Sequence, residues 1–95
     1  MLKKLYVEDV KKLPEGSEVT LLGWVRSKRS HGGLFFIDLR DSTGIIQVTI
    51  KKGEIPDDSL ERVARLRRES AIKVSGIVRR DPRAPDGVEI KCRSI

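Results

Sequence analysis

Ninety-five residues carrying a formal net charge of +6, with a pI near 9.8, make one basic domain with a core of modest size. Hydrophobic residues are 38% of the chain and charged residues 36%, a globular balance. No apolar run approaches the ~20 residues of a membrane-spanning helix, which excludes that class, and the cation excess favours a polyanionic partner.

The N-terminal MLKKLYVEDV lacks the apolar segment of a secretory signal, and the lone cysteine, Cys92, cannot form an internal disulfide. Both features point to the reducing cytoplasm. The chain has no asparagine and one glutamine, Gln47. With abundant lysine, arginine and glutamate, that avoidance of thermolabile amides points to a thermophilic source.

In chain order, Tyr6, Val10 and Leu13 recur at helical spacing and predict a short helix over 6–13, ended by Pro14-Glu15-Gly16. Ser17–Arg29 predicts a long strand, with Val19, Leu21, Gly23 and Val25 on one face and Thr20, Leu22, Trp24 and Arg26 on the other. Both faces carry apolar residues, as in a strand that bends to serve two sheets, and Gly23 is the expected site of the bulge. Trp24 is read as packed rather than ligand-binding, because aromatic area goes mostly to packing. Ser30-His31-Gly32-Gly33 is a turn. His31 has no cysteine or second histidine beside it, so it is read as solvated, with no metal or other cofactor expected.

The stretch Gly33–Ile50 then scans as two strands around an Asp41-Ser42-Thr43-Gly44 turn. Phe35, Ile37 and Leu39, then Ile46, Val48 and Ile50, point inward; Phe36, Asp38 and Arg40, then Ile45, Gln47 and Thr49, point outward. If Asp41 pairs with Gly44, Gln47 lies opposite Asp38 and diagonal to Phe36. A ring, a neighbouring amide and flanking arginines suit an unpaired nucleobase, which the ring stacks on and the amide reads.

Lys51–Ile55 reads as a linker and Pro56–Arg67 as a helix, with Pro56 in its first turn and Asp58-Ser59-Leu60-Glu61 resembling a capping box. Leu60, Val63, Ala64 and Leu66 form its apolar stripe. Arg62, Arg65, Arg67 and Arg68 are read as a solvated face, Arg65 pairing with Glu61 one turn earlier. Ala71–Arg80 is a fourth strand, with Ile72, Val74, Gly76 and Val78 inward. Asp81–Asp86 is a proline-stiffened loop, and Gly87–Arg93 is a fifth strand with Val88, Ile90 and Cys92 inward and Glu89, Lys91 and Arg93 outward.

Five strands, a bent first strand and a helix between strands three and four predict an all-β Greek-key barrel of the OB type, one domain over 1–95 with a short N-terminal helix. Such barrels bind oligonucleotides on the face of strands two and three, between the first-second and fourth-fifth loops. Here those loops are flanked by Arg26 and Arg29, then by Arg79, Arg80 and Arg83.

The run VTLLGWVRSKRSHGGLFFIDLRDSTGIIQVTI, with LRRESAIKVSGIVRRDPRAPDGVEI, resembles the N-terminal anticodon-binding domain of the aspartyl- and asparaginyl-tRNA synthetases over nearly the whole chain. GWV at 23–25, FFIDLRDSTGIIQV at 35–48 and the RES turn at 68–70 carry it; the RDSTG turn and RAPDG loop favour the archaeal-type asparaginyl enzymes. The resemblance implies that Phe36 stacks on the middle anticodon base, a uridine in both tRNAs, and that Gln47 hydrogen-bonds it. It implies that Arg29 contacts the anticodon loop and that Glu89 reads the guanosine-type first base. Arg79 follows as a phosphate or third-base contact; Arg26 and Arg83, which flank the two loops, are read from that position as further nucleic-acid-binding cations. The fourth-fifth loop is shorter than in bacterial aspartyl enzymes, a departure from the family pattern that bears on discrimination of the third base, the one that separates the two tRNAs.

Each residue has a plainer reading: Phe36 covered by an appended domain or a partner, Gln47 an ordinary strand residue, Glu89 paired with Arg79. The chain shows no nucleophile-base pair, metal cluster or phosphate-cradling glycine loop, so it reads as a binding module rather than an enzyme. Its partners are then the tRNA anticodon loop and, for an excised domain, the catalytic domain of a parent synthetase, with no membrane. The alternatives are a free-standing single-strand-binding OB protein and an OB scaffold that binds a protein.

Overall fold

The long first strand, β1 (Glu18–His31), closes the molecule by serving two neighbours in turn. Glu18–Trp24 pairs antiparallel with β4 (Ala71–Arg80), and Trp24–His31 pairs antiparallel with β2 (Leu34–Arg40). β3 (Ile45–Lys51) continues from β2, and β5 (Val88–Ser94) lies parallel to β3 and antiparallel to β4, giving a closed barrel in the order β1-β2-β3-β5-β4. This computed structural model describes residues 5–95. The reading of MLKKLYVEDV as free of a signal therefore lies in part outside the described residues. No helix among the described residues is long and apolar enough to cross a membrane.

The strands form where the alternation placed them. Ile37, Leu39, Ile46, Val48, Ile50, Val74, Val78, Ile90 and Cys92 are all buried in one core. Burial pushes the Cys92 thiol up to about 11, against a weaker opposing backbone hydrogen bond from Ser94, so at neutral pH it is an inert core group. The N-terminal helix is shorter than the spacing predicts. α1 (Val7–Val10) is one turn, followed by hydrogen-bonded turns to Leu13, and it buries Val7 and Val10.

Several local expectations are corrected. The β1 bulge lies between Val25 and Ser27, not at Gly23. There the chain after the second helix intervenes: Glu69 N–H donates to Val25 O at 2.7 Å and Val25 N–H donates to Ser70 O at 2.9 Å. Gly23 serves close approach instead, since a Cβ would lie 2.6 Å from the Arg40 carbonyl oxygen and 3.0 Å from Leu39 Cδ1. Trp24 is exposed, at 45%, beside Leu22 at 55%. With Gly23 turned against Leu39, alternation drives both neighbours outward. The second helix, α2 (Asp57–Arg65), has Pro56 as N-cap and no capping box, because it starts early enough to place Asp58 inside its first turn; Ser59 is buried and accepts from Arg62 Nη2 at 3.0 Å. Ala64 is exposed, and among the described residues Glu61 and Arg65 form no ion pair.

The β2–β3 turn is tied to α1 through Asp41. Its carboxylate accepts from Val7 N–H at 2.8 Å, from Thr43 N–H at 2.8 Å, from the Thr43 hydroxyl at 2.7 Å and from Gly44 N–H at 3.2 Å. Burial acts to raise the Asp41 pKa, but these donors outweigh it and hold the carboxyl below its ordinary 3.8. A depressed folded pKa adds stability that is complete above about 3.8 and is lost as pH falls through the folded value. Asp41→Ala is expected to cost ~1–2 kcal/mol at neutral pH, as loss of a capping carboxylate does. Urea titrations from neutral pH to pH 2 should show that difference narrowing below about pH 4.

Candidate nucleic-acid interface

Two rows of side chains cross the outer face of β2, β3 and β5. The first runs Arg29, Phe36, Thr49, Lys91, and the second runs Ser27, Asp38, Gln47, Glu89, Arg79, each neighbour a cross-strand partner of the last. Asp41 N–H donates to Gly44 O at 3.0 Å, and Asp38 faces Gln47 as the turn requires. Apart from Ser27 and Asp38, these residues line one groove, walled by Lys51 and Glu54 and by Arg83 and Ala84 of the β4–β5 connection.

A hydrogen-bonded chain runs along the floor. Arg29 Nη2 donates to Gln47 Oε1 at 3.1 Å, Gln47 Nε2 to Glu89 Oε1 at 3.3 Å, and Thr49 Oγ1 to Glu89 Oε2 at 3.1 Å. Gln47 is only 8% exposed and Glu89 only 4%, so these two outward residues lie deeper than their register implies. The exposed Glu89–Arg79 pair does not form: Arg79 is opposite Glu89 in register, but Glu89 spends its oxygens on Gln47 and Thr49. Each group keeps capacity. A carboxylate offers about four lone-pair sites and an amide two donors and two acceptors, so the chain leaves sites for a ligand.

Phe36 is half-buried rather than bare, with the Arg29 guanidinium carbon 5.3 Å from its ring centroid, within cation–π range. Arg29 therefore bridges the ring and the Gln47 amide and fixes one relative to the other. Among the other cations named from sequence, Arg79 and Arg83 line the groove and Arg26 does not. Arg83 folds onto Asp81, with Nε to Oδ1 and Nη2 to Oδ2 both 3.2 Å. The Arg83 guanidinium holds the Asp81 carboxyl below its ordinary range, and Asp81 in turn raises Arg83. His31 is exposed, and no group of three potential metal ligands occurs among the described residues.

Sequence reasoning missed Thr49, Lys51 and the Lys91–Glu54 ion pair, which spans 3.2 Å at the groove wall. Thr49 was legible as an outward residue, but only the parallel pairing of Gln47 and Thr49 with Glu89 and Lys91 gives it a function.

The family model for OB-fold nucleic-acid-binding domains of the tRNA anticodon type matches residues 19–95. The chain is 46% identical over 90 residues to the aspartate–tRNA(Asp/Asn) ligase of Methanopyrus kandleri, which covers 95% of the chain and 21% of that protein. It matches the crystal structure of Pyrococcus horikoshii asparaginyl-tRNA synthetase complexed with asparaginyl-adenylate at a TM-score of 0.92 and 38% identity, over 99% of the chain and 22% of that structure. It also matches OBody NL8 bound to hen egg-white lysozyme, at a TM-score of 0.70 and 31% identity, over 81% of the chain and 88% of that protein. The chain thus spans about a fifth of the two synthetases' length.

Proposed function

The chain belongs to the tRNA anticodon-binding family of OB-fold nucleic-acid-binding domains, and from that premise we propose that it is the anticodon-reading module of an asparaginyl- or aspartyl-tRNA synthetase. The observation that carries the proposal is the Arg29–Gln47–Glu89–Thr49 chain on the groove floor beside Phe36. In this reading the anticodon loop enters under attraction from Arg29, Lys51, Arg79 and Lys91, and its phosphates release counterions. The middle uridine stacks on the Phe36 ring, and its edge takes the free amide donor and acceptor of Gln47. The first-position guanosine presents N1–H and its amino group to the remaining lone pairs of Glu89. The existing hydrogen bonds hold these groups in place beforehand, so little side-chain entropy is lost on binding.

Relatives of both amino-acid specificities match the chain. The proposal accordingly covers the guanosine and uridine that the asparagine and aspartate anticodons share, and assigns ATP and amino-acid chemistry to the remainder of such synthetases. Titration of a GUU stem-loop against one with a scrambled loop tests it. The GUU loop is expected to bind at least ~10-fold tighter, with affinity falling steeply as salt rises. Equal binding of both loops favours a general single-strand binder. The lysozyme-bound OBody supports a second reading, a protein partner on the same barrel, which absence of binding to either RNA favours.

A further inference from the structure

The arginines around the end of α2 take no part in the groove. Arg65, Arg67 and Arg68 are exposed, and none of them forms an ion pair among the described residues. Cations at a helix C-terminus are usually explained by the free carbonyls and the negative end of the dipole. Lys28 of β1 already does that here, its Nζ donating to Val63 O at 3.2 Å and to Ala64 O at 2.6 Å. Among the carboxylates that could neutralise the arginines, Glu61 lies one turn before Arg65 on α2 but forms no ion pair with it, and the others are engaged or remote. Glu69 is held by Arg40 at 2.9 Å, and Asp57 and Asp58 start α2, roughly 12 Å from its other end. Clustered guanidinium groups without counterions repel one another, and a polyanion relieves that repulsion on binding.

The cluster is tied to β1, the strand that also carries Arg29. Arg68 Nε donates to the Arg26 carbonyl oxygen at 3.3 Å. Arg26 precedes Arg29 by three strand positions, ~10 Å. We propose that this basic surface, from Arg26 through Arg68 and Arg67 to Arg65, binds the phosphodiester backbone of the double-helical stem that carries the anticodon loop. It rests on the anticodon reading above. The patch offers guanidinium forks that match phosphate oxygens. None of its four residues is aromatic, although the exposed Trp24 lies two strand positions before Arg26, and double-stranded RNA is held mostly through shape and backbone contacts.

The test is the double variant Arg65→Gln/Arg67→Gln, because neither side chain has a hydrogen-bond partner among the described residues. Each protein is titrated with the stem-loop hairpin and with the loop sequence as a short single strand. The variant is expected to bind the hairpin ~10-fold more weakly, with the slope of log affinity against log salt reduced by about 1–2. Its affinity for the single strand should match the unmodified chain. Arg65→Glu should repeat the selective loss, with a melting curve as the folding control. Unchanged hairpin affinity and slope, or equal loss on both RNAs, overturns the stem contact while the anticodon reading stands. If the unmodified chain binds neither RNA, the anticodon reading fails and the stem contact with it.

Discussion

Replacing Phe36 by alanine is expected to cost ~1–3 kcal/mol of affinity for a GUU stem-loop, roughly 5- to 150-fold, the range for loss of one base-aromatic stack. The ring is half-buried on the outer face, while its neighbour Phe35 packs against the core. Folding stability should therefore fall by no more than about 1 kcal/mol, the transfer value of the partial area lost. Measured together, affinity by fluorescence titration and stability by urea unfolding separate the two roles of the ring. A residue that only braces Arg29 gives the reverse pattern, with stability reduced and affinity kept. Leu22→Ala on the β1–β4 face is the control: it removes an exposed apolar side chain outside the groove and should leave RNA affinity unchanged.

Glu89→Gln should abolish the preference for guanosine over adenosine at the first anticodon position. The discrimination at stake is ~1–3 kcal/mol, the worth of a good two-point contact to a base edge. The substitution is nearly isosteric. The new amide can keep its oxygen toward Gln47 Nε2 and turn its NH2 toward the Thr49 hydroxyl, where the carboxylate now accepts at 3.3 Å and 3.1 Å. The floor therefore stays packed and bonded. What changes is acceptor capacity: a carboxylate answers both guanine donors, and an amide offers one oxygen. Adenosine, which lacks the N1 proton and the amino group at that edge, should lose little. Equal weakening for both bases would show that Glu89 acts only by holding Gln47 and Thr49.

How much of this was legible in the sequence depends on whether local pattern or distant pairing decides a feature. The β2–β3 hairpin was legible to the residue. An apolar row on each strand fixed the faces, the Asp41–Gly44 turn fixed the register, and Gln47 faces Asp38 as expected. In β1 both faces are apolar, so alternation alone could not say which side Trp24 takes; the close approach of Gly23 to Leu39 and Arg40 decides it. The bulge escaped for a related reason. A glycine marks where a chain is able to bend, but the bend sits where Glu69 and Ser70 supply replacement hydrogen bonds from far along the sequence. The groove residues Phe36, Gln47, Glu89 and Arg29 were each legible as outward positions. Their hydrogen-bonded order was not, because it requires β3 and β5 to lie parallel at the barrel seam.

The central claim is that bases bind on the β2-β3-β5 groove and nowhere else on the barrel. Backbone amide chemical-shift mapping during titration with a GUU stem-loop tests it most directly. The predicted result is saturable shifts at Arg29, Phe36, Gln47, Thr49 and Glu89, with Leu22, Trp24 and Lys73 on the β1–β4 face unmoved. Shifts centred on Trp24 and Leu22, with the groove residues silent, would contradict it.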